Sequence, residues 1–160
     1  MFAPPDEDDK TLVISRVLKA PRPLVWKMFS DPYHLAQWWG PRGYTNRVEK
    51  LDFRTGGRWL HVMIGPDGRE LPTDNEILEV TEPERIVFRN APADPKLFGD
   101  NPPPGFTKTL TFEEVDAQNT QLLLVCTFDT ADHRNAVIRR GFAAGTNESF
   151  DKLEDYLAEQ

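Results

Sequence analysis

His61 is the best candidate for a catalytic group in this sequence, because an imidazole can titrate near neutral pH. The side-chain alternation of a strand places it on one face together with Trp59 and Met63. A nucleophile–base pair would need a second reactive side chain beside it, and the sequence shows no obvious partner. A histidine among apolar neighbours is more often a hydrogen-bonded core residue. We therefore predict that His61 is not a catalyst, and no catalytic residue is assigned.

The other reactive side chains also lack the spacing that known sites require. Glu113 and Glu114 are neighbours on a strand, so they point to opposite faces and cannot act as a catalytic pair. The three histidines and the single Cys126 show no zinc-binding spacing. No lysine or hydroxyl residue of a phosphate-binding loop follows Gly56 and Gly57. We expect no metal and no cofactor, and Cys126 is interpreted as a small buried apolar residue.

Length and charge define the class of protein in which these residues sit. The chain has 160 residues, 39% of them apolar and 28% charged, which is typical of one globular domain. Its net charge of −7 disfavours a nucleic-acid partner. No apolar run approaches the roughly 20 residues that span a bilayer, and the start lacks the features of a signal peptide. We expect a cytoplasmic protein without a membrane partner, with a disordered tail at residues 1–10 and one domain at 11–158.

The predicted elements are one strand, two short helices, six further strands and one long helix. Apolar residues at helical spacing predict helices at residues 21–29, at 33–38 and from about 130 onward. A helix as long as the last one needs a broad surface to lie on, and the sheet is the only candidate. The fold is therefore predicted as α+β, with a curved antiparallel sheet around the last helix. The strands, predicted from β-branched runs between tight turns, are residues 11–18, 48–53, 58–64, 76–80, 86–89, 109–115 and 120–128.

A sheet of this kind can leave a cavity between its concave face and the long helix. Gly141 and Gly145 lie four residues apart in the predicted helix, and each costs about 1 kcal/mol relative to alanine there. Either this face leaves room for a ligand, or a neighbouring element packs closely against the bare backbone. The 4 Trp, 10 Phe and 3 Tyr residues likewise either fill the core or line an apolar cavity.

Several short motifs resemble one family when their order and spacing are taken together. The motifs are RVLKAP at 16–21, LAQWWGP at 35–41, GGRW at 56–59, MIGPDG at 63–68, EVTEPER at 79–85, TLTFEE at 109–114 and GFAAG at 141–145. This pattern is similar to the bacterial proteins that resemble the C-terminal domain of the heat-shock-protein-90 ATPase activator, within the START-like (polyketide cyclase/dehydrase-like, SRPBCC) superfamily. The resemblance covers residues 11–157, and it implies a helix-grip fold with a cavity suited to apolar or aromatic small molecules.

Three features depart from the family pattern. Thr146 stands where such proteins usually carry an aromatic residue, and Asn75 stands where they often carry glycine. The proline-rich segment 91–106 exceeds the usual short connection. Its apolar residues Leu97, Phe98 and Phe106 either make the incidental contacts of a surface loop or form a lid over the cavity.

These observations predict a protein that binds a hydrophobic or aromatic small molecule between the sheet and the last helix. Two other functions stay open: co-chaperone-like stimulation of a heat-shock-protein-90 ATPase through a chaperone partner, and a cyclase or hydrolase reaction on a polyketide-like substrate. Assembly into a homodimer is also open. The residues expected to line the cavity are Trp39, Trp59, His61, Met63, Phe88, Phe112, Cys126, Phe142, Thr146 and Phe150.

Overall fold

Seven antiparallel strands form one curved sheet in the computed structural model, which describes residues 8–91, 96 and 105–160. In chain order the strands are β1 Thr11–Leu18, β2 Thr45–Leu51, β3 Arg58–Ile64, β4 Glu70–Thr81, β5 Arg85–Asn90, β6 Thr107–Asp116 and β7 Asn119–Thr127. In space their order is β1-β7-β6-β5-β4-β3-β2, so the first two strands of the chain form the two edges of the sheet.

Two pairs of helices accompany the sheet among the described residues. Helices α1 Arg22–Ser30 and α2 Pro32–Trp38 lie between β1 and β2, and α3 Ala131–Arg139 and α4 Phe142–Leu157 follow β7. The predicted α+β helix-grip fold is thereby confirmed. None of the described helices is long and apolar enough to cross a membrane.

The inner face of the sheet follows the two-residue period of its strands. On β6 the buried side chains are Lys108, Leu110 and Phe112, and the intervening threonines are less buried. Because successive side chains point to opposite faces, one face of each central strand supplies the core. The helix α4 covers this face with Phe150 and Leu153, both buried.

One end of the core is closed by α1 and α2. Trp26 and Phe29 of α1 each contact the ring of Phe112 edge-on, at centroid distances of 5.1 Å in both cases. The Trp38 indole N–H donates to the Met28 carbonyl across 3.1 Å, which satisfies a fully buried donor. This end is therefore filled with aromatic rings, and any free space must lie further along the sheet.

The C-terminal segment differs from its prediction, because the single long helix is broken in two. Gly141 has a φ of +91°, in the left-handed region that side chains other than glycine rarely adopt. Its N–H donates to the Ile138 carbonyl at the end of α3, and its own carbonyl accepts from Gly145 in the first turn of α4. The apolar periodicity predicted one continuous helix because the apolar face continues on both sides of the break.

Strand β4 begins at Glu70, six residues before its predicted start at Glu76. Its first half is polar, so it lacks the apolar run by which strands are recognised. This first half of β4 is nevertheless paired with β3 at every position, from Ile64↔Glu70 to Arg58↔Glu76. The expectations for residues 1–7 of the tail and for Leu97 and Phe98 of the proline-rich segment lie outside the described residues.

Candidate functional site

A cavity of about 330 Å³ lies between the inner face of the sheet and the last two helices. Four neighbouring strands form its floor, each with side chains at inward positions. The floor is mixed in character, since apolar rings alternate with polar groups from the first half of β4 and the end of β5. Its side chains are His61 and Met63 of β3, Thr73 and Asn75 of β4, Phe88 and Asn90 of β5, and Lys108 of β6.

The opposite wall comes from the α3–α4 junction and the first half of α4. Arg140 and Gly141 of this wall are exposed, so the cavity reaches solvent near the break between the helices. Ser149 and Phe150 are buried and lie at its deeper end. The residues of this wall are Val137, Arg140, Gly141, Phe142, Gly145, Thr146, Ser149 and Phe150.

The third wall is the segment Trp39, Gly40 and Pro41, which is hydrogen-bonded to α4. The Gly40 N–H donates to Ser149 Oγ across 3.1 Å, and Ser149 Oγ donates in turn to the Gly145 carbonyl across 3.1 Å. The Lys152 ammonium donates to the Gly40 carbonyl across 3.1 Å, and burial lowers the pKa of this lysine. These bonds hold the segment in place against the helix.

Phe106, expected in the proline-rich loop, is buried and forms part of the cavity wall. Its ring stacks on Phe128 at 4.6 Å and meets Phe142 edge-on at 5.1 Å. Its N–H donates to Asn90 Oδ1 across 3.0 Å, which fixes the chain just before β6. The end of the loop is thus built into the core rather than lying on the surface.

Seven of the ten residues expected at the cavity are found at its wall, and their role in binding stays a prediction. They are Trp39, His61, Met63, Phe88, Phe142, Thr146 and Phe150.

Three expected residues lie elsewhere in the core. Phe112 faces inward, but four positions along β6 from Lys108, where the rings of α1 cover it. Cys126 is the register partner of Lys108, yet its short side chain ends close to the sheet and is fully buried. Trp59 lines a separate void of about 20 Å³ within the core and stacks on His61 at 4.5 Å. The alternation of a strand identifies the inward face correctly but does not tell how far along that face the cavity extends.

Gly145 borders the cavity and also permits a close contact. A Cβ atom at this position would lie 3.3 Å from Cγ of Pro41, tighter than ordinary van der Waals contact. This supports the second of the two interpretations given for the glycines, close packing by a neighbouring element. Gly141, in contrast, is explained by its backbone conformation, because no atom lies within 4 Å of the position its Cβ would take.

His61 is buried and uncharged. Burial, helped by the positive charge of Lys108, lowers the pKa of His61 to about 4. Its Nδ1 lies 2.9 Å from Oδ1 of buried Asn46; because that oxygen can only accept, Nδ1 carries the proton. The partner Asn46 was not anticipated from the sequence. At neutral pH His61 therefore presents a neutral ring to the cavity.

Lys108 is the main functional candidate that the sequence did not reveal. Only 8% of this residue is exposed, and burial lowers the pKa of its ammonium to about 8. Its Nζ lies 4.1 Å from the ring centroid of Phe106 and 5.2 Å from that of Phe88. In the structure Lys108 shares the buried face of β6 with Leu110 and Phe112, at the two-residue spacing of a strand.

The described part of the chain contains neither a cluster of metal ligands nor a thiol that is readily ionised. No group of three or more histidine, cysteine, aspartate or glutamate side chains there could hold a metal ion. Burial raises the pKa of the Cys126 thiol to about 12, so it stays protonated and is a poor nucleophile.

Comparison with known proteins agrees with this architecture. The family model described as "Activator of Hsp90 ATPase homolog 1-like protein" matches residues 19–158. The chain belongs to this family. The resemblance inferred from the motifs is thereby confirmed, and the family is consistent with the START-like, SRPBCC superfamily. No curated protein matches the chain.

Solved structures of three other proteins share this fold. A crystal structure of a Mycobacterium smegmatis protein is 31% identical, with a TM-score of 0.82 over 96% of this chain and 94% of that one. A solution structure of an Arthrobacter aurescens protein is 22% identical, with a TM-score of 0.85 over 97% and 91% of the two chains. A Nitrosomonas europaea protein is 23% identical, with a TM-score of 0.81 over 96% and 97%. The Arthrobacter aurescens and Nitrosomonas europaea proteins, whose sequence identities are the lower ones, support the fold alone.

Proposed function

We propose that the protein binds a hydrophobic or aromatic small molecule in the cavity between the sheet and α4. The observation that carries the proposal is the cavity of about 330 Å³, a volume within the range of small-molecule sites. Protein interiors normally leave few voids larger than a water molecule. A void of this size in an otherwise packed domain favours a binding role.

The chemistry of the wall favours an apolar or aromatic occupant. The rings of Trp39, Phe88, Phe142 and Phe150 offer flat surfaces, and aromatic pairs gain energy beyond the area they bury. Met63 adds a flexible, polarizable side chain that adapts to irregular shapes. The neutral His61 adds polarity without a charge that would disfavour an apolar ligand.

Titration with the neutral dye N-phenyl-1-naphthylamine tests the proposal. We expect saturable binding at one site, with increased fluorescence as the dye leaves water. Thr146→Trp should weaken this binding at least about tenfold, because the indole would occupy cavity volume now left free beside α4.

Ala144→Trp is the matched control, since it adds the same side chain at an exposed position of α4 outside the cavity wall. It should leave the dye affinity unchanged. Absence of saturable binding to the wild type, or equal affinities for wild type and Thr146→Trp, would exclude this cavity as a ligand site.

The alternative functions remain predictions, as do a cytoplasmic location and a homodimer. Stimulation of an Hsp90 ATPase is tested by measuring the ATPase rate with and without the protein. A cyclase or hydrolase reaction requires a substrate that binds the cavity first, so displacement of bound N-phenyl-1-naphthylamine by a candidate substrate is measured before any search for turnover.

A further inference from the structure

Lys108 places an ammonium group in a cavity that is otherwise mainly apolar. Lys108 is more than nine-tenths buried, and its Nζ faces the rings of Phe106 and Phe88. No carboxylate or hydrogen-bond acceptor pairs with it among the described residues. Ring contacts compensate only part of the loss of hydration, so three N–H donors are left available at the floor.

The charges of the wall have one sign. Lys108 lies at the floor and Arg140 at the exposed edge, and the described lining residues include no aspartate or glutamate. The chain as a whole is acidic, with 26 carboxylate residues against 19 lysines and arginines. A wall that is basic within an acidic protein indicates electrostatic complementarity to an anion.

Two of the other polar side chains of the wall already have hydrogen-bond partners in the protein. Ser149 Oγ is already bonded to Gly40 and Gly145, and Asn75 Nδ2 donates to the Trp59 carbonyl across 3.4 Å. Lys108 is thus the charged group best placed to hold a polar end of a ligand inside the cavity.

We propose that the ligand is an organic acid, an apolar body with one anionic oxygen group, whose anion pairs with the Lys108 ammonium at the cavity floor. The proposal rests on the proposed binding function and specifies its ligand class. The apolar body lies among the rings of the wall, and the charge-assisted hydrogen bond fixes its orientation. Neutral molecules of the same shape bind more weakly because they leave the ammonium without a partner.

Two dyes with the same skeleton distinguish the charge from the shape. The probe 1-anilinonaphthalene-8-sulfonate is N-phenyl-1-naphthylamine with an added anionic sulfonate. We expect wild type to bind the anionic dye more tightly than the neutral one. Lys108→Met keeps a side chain of similar length and removes the charge, and should weaken the anionic dye at least about tenfold while changing the neutral dye less than about twofold.

Lys50→Met is the control for nonspecific attraction, because it removes the same charge from an exposed position of β2. It should leave both affinities unchanged. If the neutral dye binds saturably and Lys108→Met changes neither dye, or weakens both equally, the organic-acid proposal is wrong and the proposed binding function stands. If neither dye binds the wild type, both fail.

A pH series on the wild type gives a second, independent measurement. The sulfonate stays ionised, so anionic-dye affinity should fall between pH 7 and pH 10 as Lys108 loses its proton, and neutral-dye affinity should not. Two titratable groups near Lys108 do not change charge in this range, because the pKa of His61 is about 4 and that of Cys126 is about 12. The other charged residues nearby are Arg89 and, at the cavity edge, Arg140. A constant ratio of the two affinities over this range would also overturn the proposal.

Discussion

Replacing Lys108 with methionine should make the protein more stable at neutral pH, although it removes a side chain with specific contacts. The wild-type chain must bury an ammonium group when it folds, and this cost appears as a pKa lowered from 10.5 to about 8. Methionine fills a similar volume with an apolar side chain and carries no such cost.

The magnitude follows from the pKa difference. A change from 10.5 to about 8 at 1.36 kcal/mol per pKa unit corresponds to about 3 kcal/mol. Loss of the ring contacts to Phe106 and Phe88 offsets about 0.5–2 kcal/mol of this. The expected net gain in the free energy of unfolding at pH 7 is therefore about 1–3 kcal/mol.

The gain should depend on pH in a direction that linkage fixes. Between pH 8 and pH 10.5 the unfolded wild type binds more protons at Lys108 than the folded form, so this group makes the wild type more stable as pH rises. The advantage of Lys108→Met is then complete below pH 8 and mostly gone near pH 10.5. Cys126, whose folded pKa is raised to about 12, lowers stability above pH 9 in both chains. Removal of the Lys108 charge raises this pKa further, so the folded thiol stays protonated up to pH 10.5 in both chains and its contribution cancels in the difference.

Urea unfolding of both chains at pH 7, 9 and 10.5 measures this difference. Lys50→Met, at an exposed position of β2, should stay within about 0.5 kcal/mol of wild type without the same pH trend. Destabilisation by Lys108→Met at pH 7, or a difference that does not shrink with pH, would refute the view that Lys108 is a buried, poorly compensated cation.

Three further substitutions test how the cavity is built. Gly141→Ala should lower the free energy of unfolding by about 1 kcal/mol or more, because alanine disfavours the φ of +91°; urea unfolding measures this. Phe112→Leu should cost about 1–3 kcal/mol but leave the affinity for N-phenyl-1-naphthylamine unchanged, since Phe112 lies outside the cavity wall; a weaker affinity would place it at the site. Ser149→Ala should cost about 1–3 kcal/mol by leaving the Gly40 N–H without its acceptor, and a thermal midpoint equal to wild type would contradict this.

The fold could be predicted because local periodicity and topology agree. The alternation on β3 placed Trp59 and His61 on one face, and both are buried there. The first half of β4 could not be predicted, since its inward Thr73 and Asn75 face the cavity and lack the apolar pattern of a core strand. The break at Gly141 was missed because both helices carry an apolar face and only the backbone conformation separates them.

The site was less predictable than the fold, for a physical reason. Alternation tells which face a side chain occupies, but the boundary of a cavity depends on what other elements cover. Phe112 was misplaced because α1 fills the end of the sheet that it faces. Lys108 was passed over because lysine is almost never fully buried, so a sequence argument assigns it to the surface.

The position of β1 at the edge of the sheet determines when the protein can complete its fold during synthesis. Among the described strands its partner is β7, with Thr11 opposite Thr127 and Leu18 opposite Thr120. Because β1 is synthesised more than 100 residues before β7, it has no strand partner until β7 has been made. Contacts so distant in sequence also form slowly. Until β7 has been made, β1 cannot join the sheet, and its inward side chains Leu12, Ile14 and Leu18 stay outside the core. The incompletely synthesised chain is then prone to aggregation through these exposed apolar side chains. Pairing of β1 with β7 places them in the core.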